Sequence, residues 1–398
     1  MRRLLRQSER GLRAFARSLF PALQMLTEPH RSYYKDARGH AFIRMDGLGD
    51  LWLWLPFAAT LKKRYTNTPF YLLVNAQWTS IAELASLFDK VVPLQTEKFH
   101  RFTLYRNWAI QEITKHIPPV EKVWQVTYSR RIVVEDLLSH AIPSQERIAW
   151  TRDPSIAEPP WLGKWVDARV YTTLYPSPLP PLTHEWIRYQ EWLKQIGIDS
   201  LELDVYHHMH QKLQHDSSTP FIAAVIGAGS PTRLPPLSVT EKLLRLLYKR
   251  IGWPIYLIGT ASDKKVAMAL EAKGIKDYTG KLSLIEAVKM VANATMVIAP
   301  ETGLGHIGST VGVPTLIIAG GGHWGRFIPY PPQTPFTIKV ISHEMPCFGC
   351  GWICKYQLSR SQPYPCISQL SPEAVAEEAL KWAEHVLSLK TQSIQGSI

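Results

Sequence analysis

Ala41-Phe-Ile-Arg-Met-Asp-Gly-Leu-Gly-Asp50, followed by Leu51-Trp-Leu-Trp-Leu-Pro56, reads as one step of a parallel α/β sheet. Ala41–Met45 is an apolar strand, Gly47–Gly49 a glycine turn, and a helix runs from about Leu51 to Tyr65. The rhythm continues with strands at Phe70–Val74 and Val91–Leu94 around a helix at Ile81–Leu87, then strands at Lys122–Val126 and Arg147–Trp150. It restarts at the strand Phe221–Ile226, which again ends in glycines. Ser238 caps a helix reaching about Ile251, Ile255–Ile258 is a strand, and helices follow at Ser262–Lys273 and Ser283–Ala294. Strands at Met296–Ala299 and Thr315–Ala319 flank a short helix, Gly303–Val311.

Two such runs imply two parallel-sheet domains with a cleft between them. The polar stretch Gln211–Thr219 is the linker, giving an N-terminal domain over 36–210 and a C-terminal domain over 219–370. A proline-rich region, Pro154–Pro181, precedes a helix near Trp186–Ile196. A last helix, 371–390, starts with Ser371 as cap and Pro372 at its first position.

The chain has 398 residues, 45% of them hydrophobic and 20% charged, enough for two cores and unlike a disordered chain. Its formal charge of +12 favours an anionic partner: nucleic acid, an acidic lipid surface or a phosphorylated substrate. The charge fits a nucleic-acid protein too, but no known nucleic-acid-binding motif is present, which speaks against the first. The longest apolar run, around Leu51–Thr60, is too short for a membrane span and contains a proline. In residues 1–35, Arg2, Arg3, Arg6, Arg10, Arg13 and Arg17 alternate with Leu4, Leu5, Leu12, Phe15, Leu19, Phe20 and Leu23. Such a helix suits peripheral contact with an anionic membrane or packing on the domain.

Ligands of open parallel sheets bind beyond the carboxyl ends of the strands, so the loops after Met45, Ile226, Ile258, Ala299 and Ala319 are the informative ones. In the first, Gly47 and Gly49 allow a tight turn, and Asp50 stands at a helix start as a base or as a plain cap. In the fourth, Glu301-Thr-Gly-Leu-Gly-His306 opens a helix whose N–H groups and dipole suit an anion; His306 is a phosphate donor or a packed ring. All four cysteines, Cys347, Cys350, Cys354 and Cys366, fall in one short loop. Four thiolates there suit a structural zinc or iron site better than a secreted disulfide scaffold.

In order and spacing these motifs resemble glycosyltransferase family 9, whose best-known members are the lipopolysaccharide heptosyltransferases. The elements are Leu48-Gly-Asp50 to Pro56, Ile226-Gly-Ala-Gly-Ser-Pro-Thr-Arg233-Leu-Pro235, Ile258-Gly-Thr-Ala-Ser-Asp263 and Gly280-Lys-Leu-Ser-Leu284. Thr302-Gly-Leu-Gly-His306, Gly312-Val-Pro314 and Gly320-Gly-Gly-His-Trp-Gly-Arg326 follow. The resemblance covers residues 40–385 and implies a GT-B fold, two Rossmann-like domains facing a central cleft. It further implies inverting, metal-independent transfer from a nucleotide sugar, commonly ADP-heptose, to a lipopolysaccharide-core or other anionic glycan acceptor at the cytoplasmic face of a membrane. Asp50 is then the base, Arg233 the cation on the leaving diphosphate, and Asp263 a partner of the ribose. Thr302, Gly303 and His306 hold phosphate, with Gly47, Gly49, Gly227 and Arg326 lining the cleft. Glu301 stands where the family has aspartate, which puts the sugar in question. One branch of the family holds iron with four cysteines at the place of this loop. Two other readings remain open: a GT-B epimerase using the same cleft, and a non-catalytic binding module. The basic N-terminal helix and the segment Tyr128-Ser-Arg-Arg131 favour an anionic acceptor over the epimerase.

Overall fold

A computed structural model describes residues 36–156, 158–215, 219–356 and 362–395, with residues 18, 19, 21–23, 25 and 34 of the N-terminal segment. The chain forms two compact units, Met1–Val205 and Tyr206–Ile398. The change of unit falls inside the helix Asp204–Leu213, which buries Val205, Tyr206, Met209 and Leu213, ahead of the polar run read as a linker.

The first unit is built on a six-stranded sheet, β1 (His40–Arg44), β2 (Phe70–Asn75), β3 (Lys90–Leu94), β4 (Val120–Gln125), β5 (Ser144–Trp150) and β6 (Thr173–Tyr175), in the order β3-β2-β1-β4-β5-β6. Every pairing is parallel, with Phe42 opposite Leu72 and Trp124. The second unit holds β7 (Ile222–Val225), β8 (Ile255–Ile258), β9 (Ile275–Asp277), β10 (Met296–Pro300), β11 (Thr315–Ala319) and β12 (Ile338–Ser342), ordered β12-β11-β10-β7-β8-β9 and again all parallel. Counted within each unit, both orders are 3-2-1-4-5-6, the doubly wound Rossmann arrangement. Strand order therefore reverses between β1 and β4 in one sheet and between β7 and β10 in the other. At those two points the connections leave in opposite directions and open a crevice beyond the strand ends.

Sequence explains the winding. β1, β7, β10 and β11 are buried throughout, as strands covered on both faces must be. The helix Leu48–Arg64 buries an unbroken run from Leu51 to Leu61, including Pro56, so the longest apolar stretch of the chain is a core helix. Trp54 packs on Phe42 and Phe88, and Trp192 on Trp124 and Trp150, giving this unit an aromatic core. In the second unit the helices Leu237–Ile251 and Pro372–Gln395 cover the sheet together, with Leu243, Leu247, Ala376 and Ala379 in one core. The first of these starts behind Pro236, so Ser238 lies within its first turn instead of capping it. The proline-rich region contains a helix, Pro160–Val170, whose first position is a proline, where the missing N–H costs nothing.

Most of the N-terminal basic segment lies outside the described residues. Ser18, Ala22 and Met25 are buried, Leu19 and Leu23 exposed. The Ser18 hydroxyl donates to Glu158 at 3.2 Å and Arg169 donates to the Met25 carbonyl at 3.0 Å, both within the first unit. No helix among the described residues is long and apolar enough to cross a membrane.

Candidate active site

The first crevice is lined by the loop after β1. Gly47 precedes the helix with φ −78° and ψ 168°, extended backbone open to any residue, and Gly49 is helical. The tight turn expected of these glycines is not formed. What Gly47 supplies is closeness, since a Cβ there would sit 2.9 Å from Asp50 Oδ2. The Gly47 N–H donates to that oxygen at 3.3 Å, so Asp50 does cap the helix. Its Oδ1 has no hydrogen-bond partner among the described residues, which leaves half of the carboxylate for another task.

A second carboxylate stands four residues earlier. Asp46 Oδ2 pairs with the buried Arg44 guanidinium at 3.1 Å, while Oδ1 is buried without a partner among the described residues. Burial first, then the negative charges of Asp50 and Glu135, push the Asp46 carboxyl up to about 7 against the pull of Arg44. Sequence reasoning missed Asp46; its signal was a second acid between the strand end and Gly47.

The basic pair of the Tyr128–Arg131 segment does not form an exposed cationic patch. Arg130 is fully buried and bonded to Asp136 at 2.9 Å and Asp167 at 2.6 Å. Arg152 joins the same carboxylates. Arg131 is partly exposed but paired with Glu135 at 3.2 Å. A buried guanidinium has to be matched by acids of its own domain, so Arg130 is not offered to an acceptor.

The second crevice, between the ends of β7 and β10, collects most of the remaining candidates. Thr302 caps the helix Gly303–Thr310 by accepting from the Gly305 N–H at 3.3 Å. The N–H groups of Gly303 and Leu304 are left at the helix start without intrahelical acceptors. Gly305 and Gly308 let this helix lie close to the sheet; a Cβ on either would come within 3.1 Å of β10 or β11.

Glu301 is almost buried and held from both sides. His323 Nδ1 lies 2.9 Å from Oε2 and His306 Nε2 lies 3.5 Å from Oε1. A carboxylate only accepts, so those two ring nitrogens carry protons. The His306 Nδ1 lies 2.6 Å from the Tyr330 hydroxyl, which can then donate to it. Burial raises the Glu301 carboxyl, yet the two histidines outweigh it and hold the group down at about 2. Both nitrogens of His306 are thus engaged inside the protein, and neither is presented to a phosphate. His323 lies inside the quoted motif Gly320–Arg326 but was not singled out there, and Tyr330 was missed because its spacing from His306 has no motif.

Arg233 lies in the short turn Pro231–Arg233 beyond β7, its Cζ 4.7 Å from the centre of the Trp352 ring. Asp263, beyond β8, accepts from the Thr260 N–H at 2.7 Å and the Thr260 hydroxyl at 2.8 Å through Oδ2. A Cβ on Gly227 would collide with that oxygen, so the Asp263 carboxylate sits against Gly227 only because it is a glycine. Arg326 stacks near Phe327, 5.1 Å from its ring centre.

Beyond β11 comes Gly320-Gly-Gly322, against which the cysteine loop is fastened. The Gly349 N–H donates to Gly321 O at 2.6 Å and the Gly351 N–H to Gly322 O at 2.9 Å. Added Cβ atoms would strike Phe348 at Gly321 and Trp352 at Gly322, at 2.0 and 2.1 Å. The four cysteines are free thiols. Among the described residues no three His, Cys, Asp or Glu side chains are grouped to hold a metal. Cys366 instead accepts from the Gly321 N–H at 3.4 Å. Burial raises the thiols of Cys350 and Cys366, with neighbouring cysteines adding to it. The loop's visible work is to lay Phe348 and Trp352 on the three glycines.

Residues 193–354 match the model of glycosyltransferase family 9 (heptosyltransferase). Lipopolysaccharide heptosyltransferase 1 of Pseudomonas aeruginosa is 28% identical over 183 residues, which are 41% of this chain and 48% of that protein. The match thus spans about half the length of the curated relative. The ADP-heptose lipopolysaccharide heptosyltransferase II of E. coli superposes with a TM-score of 0.58 at 16% identity, over 86% of this chain and 98% of that one. A family 9 glycosyltransferase from Veillonella parvula gives 0.63 at 15%, over 88% and 99%. An E. coli heptosyltransferase crystallised with ADP-2-deoxy-2-fluoro heptose gives 0.63 at 14%, over 86% and 99%. At these identities the likeness is one of fold, and the fold is that of the GT-B heptosyltransferases.

Proposed function

We propose that the chain is an inverting glycosyltransferase that moves a heptose or related sugar from a nucleotide sugar to an anionic cell-surface glycan, such as a lipopolysaccharide core. The observation that carries this reading is Glu301, an ionised carboxylate clamped by His323 and His306 beside an open helix N-terminus, at the strand-order reversal of a family 9 domain. Each of its oxygens keeps lone-pair capacity beyond the histidine contact, so it can accept from hydroxyls of a donor sugar. Arg233 and the N–H groups of Gly303 and Leu304 supply positive potential for a diphosphate without a cation. A relative solved with an ADP-heptose analogue favours ADP as the nucleotide. Asp263 and Arg326 are assigned the ribose and the crevice rim.

In the first unit, Asp50 is the base. It takes the proton of the acceptor hydroxyl as that oxygen bonds to the anomeric carbon, the bond to the diphosphate breaks, and the configuration inverts. Positive charge facing the diphosphate stabilises it as it leaves. Transfer takes place on the cytoplasmic side of the membrane, with the N-terminal arginines drawing the chain to anionic lipid. The test is release of nucleoside diphosphate from a panel of nucleotide sugars, with and without acceptor glycan. Acceptor-dependent release from one donor is expected. Conversion of the donor sugar without an acceptor would establish an epimerase, and binding without turnover a non-catalytic module.

A further inference from the structure

Trp352 has a backbone that a bulky side chain seldom adopts, with φ +60°. Such left-handed residues are strained and persist where their surroundings hold them. The surroundings here are explicit. The ring is 8% exposed, lies on Gly322, packs 5.0 Å from Tyr364 and meets His323 edge-on at 5.4 Å. Its Nε1–H is buried and has no acceptor among the described residues. No hydrogen bond of its own therefore places the ring; packing and the strained turn do. On the ring lies the Arg233 guanidinium, 4.7 Å from the centre. One indole thus touches the cation assigned to the diphosphate and the histidine that clamps Glu301.

We propose that Trp352 is a positioning residue for donor binding, its ring face fixing the Arg233 guanidinium and its edge backing His323. The proposal rests on the assignment of Arg233 to the donor diphosphate. Arginine stacks as a flat plate, so an aromatic face restricts its rotamers before the ligand arrives and reduces the ordering cost of binding.

The experiment is a double-mutant cycle read by calorimetric binding of whichever of ADP, GDP, UDP and CDP the wild-type chain binds. Arg233→Ala should weaken binding. Trp352→Leu, which keeps bulk and loses the π face, should weaken it about tenfold, in the range of a partly desolvated cation–π contact. Trp352→Phe should restore most of the affinity. In an Arg233→Ala background, Trp352→Leu should add less than about twofold, because coupled residues are non-additive. A full tenfold loss in both backgrounds would make Trp352 a purely structural residue and overturn the proposal, as would unchanged binding in Trp352→Leu. If Arg233→Ala itself binds normally, or no diphosphate binds, the underlying donor reading fails instead. Trp352→Phe and thermal melts of each variant separate misfolding from these outcomes.

Discussion

At the residue scale, the two carboxylates of the proposed reaction differ in what surrounds them. Asp50 offers one oxygen to its own helix and keeps the other open. Asp50→Asn should abolish transfer, on the order of a hundredfold or more, while donor affinity changes little, because a base acts on the acceptor proton. Equal loss of donor binding would reduce Asp50 to a cap; single-turnover rates and calorimetry distinguish the two. Glu301 is the opposite case, engaged at both oxygens. Its native carboxyl lies below its unfolded value, so it contributes stability above about pH 4.5 that is lost as pH falls toward about 2. Glu301→Gln should therefore cost about 1–3 kcal/mol at neutral pH. The gap to wild type should narrow as pH drops below about 4.5, measured by denaturant titration. A gap that stays constant with pH would show that the histidines do not hold an ionised acid.

At the scale of elements, the three glycines after β11 make the sharpest case. Gly322→Ala drives a methyl into the Trp352 ring, which the zipped backbone of Gly351 cannot relieve. A loss of about 1–3 kcal/mol is expected from overpacking, with weaker donor binding. Gly229→Ala, where a Cβ meets nothing within 4 Å, should stay within about 0.5 kcal/mol. Equal melting shifts for the two would remove the argument.

The legibility of elements followed their burial. The strands β1, β2, β7, β8, β10 and β11 were readable because both faces are covered and their central residues are apolar. Edge strands β6 and β9 are three residues each and half-exposed, and left no pattern. The helices Thr96–Arg101 and Thr103–His116 went unread because Phe102, Leu104 and Trp108 are exposed and spoil the apolar stripe. Candidate residues close to a strand end in sequence were found. His323, Tyr330 and Trp352 were not, because they reach Glu301, His306 and Arg233 through tertiary packing alone.

Across the whole molecule, acid groups tune stability in opposite directions. Glu158 accepts from Ile132 N–H at 2.9 Å and from Ser18, so it ties the N-terminal segment to the buried arginine network. Burial, then the charge of Asp136, raises its carboxyl to about 7. A raised acid stabilises the native state fully below its unfolded value, about pH 4.5, and that contribution disappears as pH rises through about 7. Glu158→Gln, which resembles the protonated form, should therefore gain relative to wild type between about pH 4.5 and 7.5. Melting curves across that window check it, and parallel curves for the two proteins would mean Glu158 is ionised throughout.

The two sheets repeat one winding order, and each is closed within its own stretch of chain, residues 40–175 and 222–342. Domains fold as units, N-terminal first during synthesis. All six strands of the first sheet therefore emerge from the ribosome before β7 is translated, and nothing in their pairing waits for the later half. The Trp-rich core closes over the nascent chain early. The first unit is thereby expected to be a folded body while the second is still being made, and errors of synthesis in the cysteine loop would leave it intact.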